Sequence, residues 1–189
     1  TGLVFPDYAP ANDGKAPLDP KDSKEYEEQR RNALEKLNNK KCREFLTKAL
    51  GAAGVEALKQ AIQNQVPWNG SNSTISLADA QVIDPNNQTQ AAMEYFANTS
   101  VAQHLRRRSG VGAVAQVGGP DVYFRSRNGF ERLFGMAGSF RPRDVIHEAL
   151  HASTGMADPG LVGLLDPTGK YKGEDSWRIN VALMANNCK

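Results

Sequence analysis

The sequence predicts a single α+β domain in which a small mixed sheet packs against several helices, preceded by an extended N-terminal arm. Apolar residues recur at helical spacing towards both ends of the chain, whereas shorter stretches in the middle alternate apolar and polar residues. The length of 189 residues and the 40% hydrophobic content suit one domain with its own core. The arm is predicted over residues 1–21 and the domain over residues 22–189.

The N-terminal part of the chain is predicted to be an arm followed by helices. Residues 1–21 contain four prolines and no regular period, which indicates an extended arm or linker. Ser23 is a suitable N-cap for a polar helix over residues 23–39. A second helical stretch covers residues 42–65, and glycines interrupt it at 51–54. This break favours two short packed helices over one long helix.

The middle of the chain is predicted to supply the sheet. Residues 67–74 form a cluster of turn residues, and the alternation over residues 74–83 predicts a strand. Two more strands are predicted over residues 113–119 and 121–129, on either side of a Gly-Gly-Pro turn. These two strands should form a hairpin in a small mixed or antiparallel sheet.

The clearest helix covers residues 141–154, with Pro142 in its first turn and Gly155 as its stop. Residues 174–188 are acidic at their start and apolar further on, which predicts a closing helix. A short helix is also predicted over residues 89–98. Two further stretches fit either a helix or a loop: residues 101–110 and 157–173.

Charge and hydropathy argue against two classes of partner. Lys plus Arg number 23 and Asp plus Glu number 21, and the resulting charge of +2 is too small to indicate nucleic acid. The three arginines at 106–108 could contact phosphate, but a solvated basic segment explains them better. The longest apolar runs, at 161–165 and 181–185, are far too short for a membrane-spanning helix. No nucleic-acid partner and no membrane span are expected.

The helix over residues 141–154 places two histidines one turn apart. His147 and His151 are four residues apart, so their imidazoles share a helix face and can bind one metal ion. Glu148 flanks that face, and its carboxylate can reach a water beside the ion. The alternative interpretation is two ordinary histidines on a helix. The helix stop and the adjoining apolar stripe favour the metal site.

A catalytic zinc site needs a third protein ligand and an open fourth position. Asp158 follows the Gly155 turn by three residues, so the chain can double back and place its carboxylate under the two imidazoles. The alternative use of Asp158 is turn formation before a proline. Glu174 and Asp175 rank second, because their acidity equally suits the first turn of a helix. The remaining candidates are Asp166 and His104.

With His147, Glu148 and His151 in this spacing, the chain resembles the zincin metallopeptidases. The resemblance implies a small twisted sheet over the helix that carries the motif, a bound zinc ion (Zn2+) and a catalytic glutamate. Gly155 and Asp158 each fall one residue later than the glycine and the third ligand of the metzincin form. The subfamily is therefore not assigned.

A looser resemblance covers more of the chain. The segments at 42–46, 145–165 and 176–188 look like metallopeptidase domains at the ends of bacterial exported or RHS-type repeat proteins. By themselves, Cys42 and Cys188 fit either one disulfide or two buried thiols. The resemblance implies export to the cell envelope or the exterior, and with it a Cys42–Cys188 disulfide. It also favours Asp158 as the third ligand.

These features predict a zinc-dependent hydrolase, and specifically a peptidase that acts on a peptide or protein substrate. Glu148 would take a proton from the attacking water and pass it to the leaving amine. A substrate peptide could add to the edge of the strand at 121–126, and Tyr171 could donate a hydrogen bond to the developing oxyanion. The competing interpretation is a non-catalytic or toxin-associated interaction module that retains a zincin-like fold.

Overall fold

The computed structural model describes residues 13–84, 88–108, 112–126 and 141–189. Within these ranges the chain forms seven helices and three strands. The helices are α1 (Pro20–Leu37), α2 (Lys40–Asn64), α3 (Gln90–Asn98), α4 (Val101–Arg107), α5 (Pro142–Thr154), α6 (Asp158–Leu165) and α7 (Asp175–Ala185). The strands are β1 (Val66–Asn69), β2 (Ala113–Ala115) and β3 (Asp121–Phe124).

The strands form one mixed sheet with β3 at its centre. β3 runs parallel to β1, with Asp121 opposite Val66, and antiparallel to β2, with Tyr123 opposite Val114. The predicted α+β class and the hairpin between the second and third strands are confirmed. β1 overlaps the start of the predicted turn cluster at 67–74, so that prediction is wrong for residues 67–69, whereas residues 70–72 do form turns. β1 is only four residues long and contains Pro67, so its pairing depends on a partner more than 50 residues away rather than on a local pattern.

The strand predicted over residues 74–83 is also wrong. Burial does alternate there, since Ile75 and Leu77 are buried while Thr74 is exposed. The segment nevertheless forms turns, because the hydroxyl of Ser76 accepts a hydrogen bond from the Asp79 amide at 3.0 Å and bends the chain. Its ladder contact is a single bridge between Ser76 and Ser100.

Helix α1 begins earlier than predicted, inside the region assigned to the arm. Asp19 is the N-cap instead of Ser23, and Pro20 occupies the first helical position, where its missing amide hydrogen costs nothing. The preceding residues pack on the sheet: the Asn69 amide donates to the Ala16 carbonyl at 2.7 Å. Residues 1–12 of the predicted arm lie outside the described residues.

Helix α2 contains the predicted break. Gly51 has a φ of 76°, in the left-handed region that glycine adopts without strain, and the backbone there is not helical.

The short helix α4 forms within residues 101–110, the stretch that fitted either a helix or a loop. Ser100 and Gln103 cap its start reciprocally.

The two faces of the sheet bury two hydrophobic clusters. Val122 and Phe124 face the larger cluster, which α1, α2, α5, α6 and α7 complete, whereas Val114 and Tyr123 face a smaller one. A disulfide joins Cys42 on α2 to Cys188 after α7, with a Cα–Cα distance of 5.1 Å, as the resemblance implied. No helix in the described ranges is both long and apolar enough to cross a membrane.

Helix α5 occupies the position between these elements. It packs against α1 and α2 on one side and against β2, α6 and α7 on the other. The residues Val145, Ile146, Ala149 and Leu150 are fully buried along it. This packing fixes the position of the helix between the other elements.

Candidate metal centre

The histidine motif lies on α5, as predicted. The helix has Pro142 at its start and ends at Gly155, whose φ of 66° is the left-handed conformation of a C-cap. His147, Glu148 and His151 are all nearly buried, with 3%, 7% and 9% of their surfaces exposed. Buried ionisable groups at these positions require partners, and the chain supplies them around the two rings.

The predicted third ligand meets both histidines. The Nε2 atom of His147 lies 3.1 Å from Oδ1 of Asp158, and Nε2 of His151 lies 3.2 Å from the same oxygen. The ligand atoms of the three residues are all within 4.8 Å of one another, close enough to hold one metal ion. The structure therefore brings together the set that the sequence predicted.

Two turns place Asp158 under the rings. The left-handed Gly155 reverses the chain after α5, and Asp158 then occupies the first position of α6, after the N-cap Ala157. The side chain of Asp158 is 33% exposed, so the cluster of His147, His151 and Asp158 is open on this side. The prediction that the chain doubles back after Gly155 is confirmed.

The opposite nitrogen of each ring is also occupied. His147 Nδ1 lies 3.0 Å from Oδ1 of Asn180 on α7, and His151 Nδ1 lies 2.7 Å from the carbonyl oxygen of Met156. A carbonyl oxygen only accepts, so each Nδ1 carries a hydrogen, and a ring without a second proton presents the lone pair of Nε2. In that form two nitrogen lone pairs and a carboxylate oxygen lie close together, and a cation between them would balance their charge.

The electrostatics of the group show the same need for positive charge. Burial lowers the pKa of His147, but the hydrogen bond to Asp158 and the charges of Glu148 and Asp158 outweigh it, and the pKa rises to about 9. Burial raises the pKa of Asp158, but its bonds to the two histidines bring it well below the usual range. Protons supply the compensating charge here, and a divalent cation can supply it equally.

Glu148 lies beside the three candidate ligands but is not one of them. Burial raises the pKa of the Glu148 carboxyl, and the nearby charges of His147 and His151 oppose that rise. The side chain lines a cavity of about 720 Å³ together with His147, His151 and Asp158. A carboxylate beside the ligands and open to a cavity is in position to contact a water or a substrate there.

The other residues predicted as possible metal ligands lie outside the cluster of His147, His151 and Asp158. Glu174 and Asp175 line the same cavity but are outside the ligand group, and Asp175 lies 3.5 Å from Nη1 of Arg178. Asp166 is buried and accepts hydrogen bonds from Arg178 and from the amides of residues 170 and 171. His104 lies on another wall of the cavity, bonded to Tyr95.

One predicted substrate contact is wrong. Strand β3 is central and paired on both edges, so a peptide cannot add to the strand at 121–126. Tyr171 packs against the main core, which is the common role of a tyrosine in a loop, and its part as an oxyanion donor stays a prediction. Strand β2 instead borders the cavity through all three of its residues.

Sequence reasoning missed the partners of the imidazoles. Asn180 is a polar residue in the apolar stretch of the last helix, beside the buried Ile179, and that contrast was the available signal. The carbonyl of Met156 has no sequence signal, because every residue has a backbone carbonyl.

Comparison of the chain with protein-family models, curated proteins and solved structures found no match.

Proposed function

We propose that the protein is a zinc-dependent peptidase in which His147, His151 and Asp158 hold the ion and Glu148 is the general base. The observation that carries the proposal is the convergence of both Nε2 atoms on Oδ1 of Asp158, while acceptors fix both Nδ1 atoms. A small mixed sheet beside a helix with this motif also fits the zincin-like architecture. An exported protein fits the disulfide.

The chemistry of the donors favours zinc. Two imidazole nitrogens and one carboxylate oxygen form one of the three-ligand sets that catalytic zinc uses, which leaves a fourth position open. Calcium and magnesium prefer sites built from oxygen alone. The group borders the cavity, so a substrate and a water can reach it.

The residues of the chain have distinct roles in this proposal. When bound, zinc supplies a Lewis acid that polarises the scissile carbonyl and acidifies a water. Glu148 takes a proton from the attacking water and delivers it to the leaving amine as the peptide bond breaks. Asn180 and the Met156 carbonyl hold the two rings in the orientation that binding needs.

Within the described residues β2 is an edge strand, and this edge supports a peptide as the substrate. The Gly112 carbonyl and the Gln116 amide bond to the β3 side at 2.8 Å each. In an antiparallel ladder the alternate residues, Ala113 and Ala115, therefore point their backbone groups away from β3. Both line the cavity, where an extended peptide can pair with them and present a bond to the metal group.

Zinc content and its removal test the proposal. The purified protein is expected to bind one zinc ion per chain and to cleave a mixture of unstructured peptides, as read by mass spectrometry. Phenanthroline should abolish cleavage, and added Zn²⁺ should restore it where Mg²⁺ does not. His151→Ala should lose the ion, whereas His104→Ala should keep it. A zinc-loaded protein that cleaves no peptide would favour the interaction module, and a protein that binds no zinc would overturn the proposal.

Asn180→Ala should weaken zinc binding without removing a ligand. Loss of the acceptor at Nδ1 leaves the His147 ring free to turn, and such changes typically reduce metal affinity about 10–100-fold. Competition with a coloured chelator measures the affinity. Asn186→Ala is the matched control, since that amide bonds the Ala182 carbonyl at the end of α7 and should leave zinc affinity unchanged. Equal affinities for the two variants would contradict the role of Asn180.

A further inference from the structure

The cavity has a second wall that the proposed chemistry does not use. It comprises Tyr95 and Phe96 of α3, His104 of α4 and Arg108, and it is called the α3–α4 wall below. The aromatic rings of Tyr95 and Phe96 meet edge to face at 5.9 Å, and the Tyr95 and His104 rings lie 6.1 Å apart. The wall is therefore aromatic and carries a basic group at its margin.

Arg108 is the charged group of this wall. Of the three arginines at 106–108, it alone lines the cavity, and the described residues offer it no acidic partner within ion-pair distance. Asp84 also lines the cavity, but it has an interaction of its own. A guanidinium that faces a cavity without a carboxylate retains its fork of donors for a ligand.

His104 adds a neutral donor beside that charge. Its Nδ1 atom lies 2.9 Å from the Tyr95 hydroxyl, and burial, followed by the charge of Arg108, lowers its pKa. The ring is therefore neutral at pH 7. When Tyr95 donates to Nδ1, the ring carries its hydrogen on Nε2 and can donate it to a ligand.

Further charged side chains line the cavity at the start of α7. Glu174 and Asp175 are carboxylates there, and Asp175 lies 3.5 Å from Nη1 of Arg178. Among the cavity-lining residues outside the proposed zinc site, Arg108 is the cation that attracts an anionic group of a ligand.

We propose that the α3–α4 wall binds a carboxylate of the substrate, with Arg108 as the charged partner and His104 as a hydrogen-bond donor. The proposal rests on the proposed function in one respect, namely that the ligand is the peptide that occupies the cavity. The carboxylate belongs either to an acidic side chain or to a free C-terminus, and both sources present the same chemistry to the guanidinium.

Peptide binding, measured without turnover, tests this proposal. Fluorescence anisotropy follows dye-labelled peptides on the full chain, with zinc present and again after chelation. One arm compares a C-terminally amidated peptide that contains Glu with its Gln counterpart. The other arm compares a neutral peptide with a free C-terminus and its amide. At least one carboxylate form should bind about tenfold more tightly than its neutral match, and the arm that shows the difference identifies the source.

Variants assign the preference to the wall. Arg108→Gln should remove the tenfold preference and Arg108→Glu should reverse it towards a Lys peptide, whereas Arg107→Gln, at an arginine that does not line the cavity, should keep it. Equal binding of charged and neutral peptides, retention of the preference by Arg108→Gln, or no binding of any peptide would overturn the proposal. If the proposed zinc chemistry is wrong, the protein will not cleave peptides, but the peptide affinities can still be measured.

Discussion

Glu148→Gln is expected to reduce peptide cleavage about 10²–10⁴-fold while one zinc ion per chain stays bound. The amide keeps the size of the carboxylate but cannot take a proton from water. Because Glu148 lies outside the group of ligand atoms, its replacement removes none of the three donors. Burial raises the pKa of Glu148, so an uncharged side chain of the same shape should not destabilise the metal-free protein. Rates of cleavage and metal analysis on the same sample test both statements.

Glu174→Gln is the matched control for this prediction. Glu174 also lines the cavity, at the N-cap of α7, but it is exposed and outside the ligand group. Its loss should change the cleavage rate of a neutral peptide only a few-fold. If Glu148→Gln cleaved at the wild-type rate, the general base would be another group. If it lost zinc, Glu148 would be a ligand instead.

Loss of the Cys42–Cys188 disulfide should lower the free energy of unfolding by about 2–5 kcal/mol. The bond closes a sequence separation of 146 residues, so its removal releases a large restraint on the unfolded chain. The double variant with alanine at both positions avoids a hydroxyl in the core, where both cysteines are fully buried. Urea unfolding at equilibrium, compared with oxidised wild-type protein, measures the change, and reduced wild-type protein is the control for the substitutions themselves.

The disulfide variant should also bind zinc more weakly. Cys188 follows α7, and α7 carries the Asn180 acceptor of His147. Loosening the end of that helix against α2 gives Asn180 more freedom, which reduces the orientation of the ring. An unfolding free energy within about 1 kcal/mol of wild type would show that the packing alone holds these helices together.

The parts of the fold that the sequence predicted are those with local causes. The α5 helix follows from the spacing of its apolar residues and from its terminal Pro142 and Gly155. The β2–β3 hairpin follows from one short turn. Asp158 was predicted because the Gly155 turn returns the chain to the histidines within a few residues. In each case neighbours in sequence determine the geometry.

The parts that the sequence did not predict have causes distant in the chain. β1 is defined by its partner β3, and the alternation at 74–83 reflects burial without a ladder. Asn180 meets His147 across 33 positions, and His104 enters the cavity because α4 packs beside β2 and β3 through the second cluster. A single sequence contains no pattern that shows which residues distant in the chain lie close together in the fold.

The anchoring of residues 13–17 leaves the sheet asymmetric. Ala16 accepts a hydrogen bond from Asn69, and Pro17 bridges to Trp68, so the outer side of β1 is covered by the chain's own N-terminal segment. The outer side of β2 faces the cavity instead. Among the described residues, β2 is therefore the border of the sheet that remains for foreign backbone, and a second copy of the chain would compete there with the proposed substrate peptide.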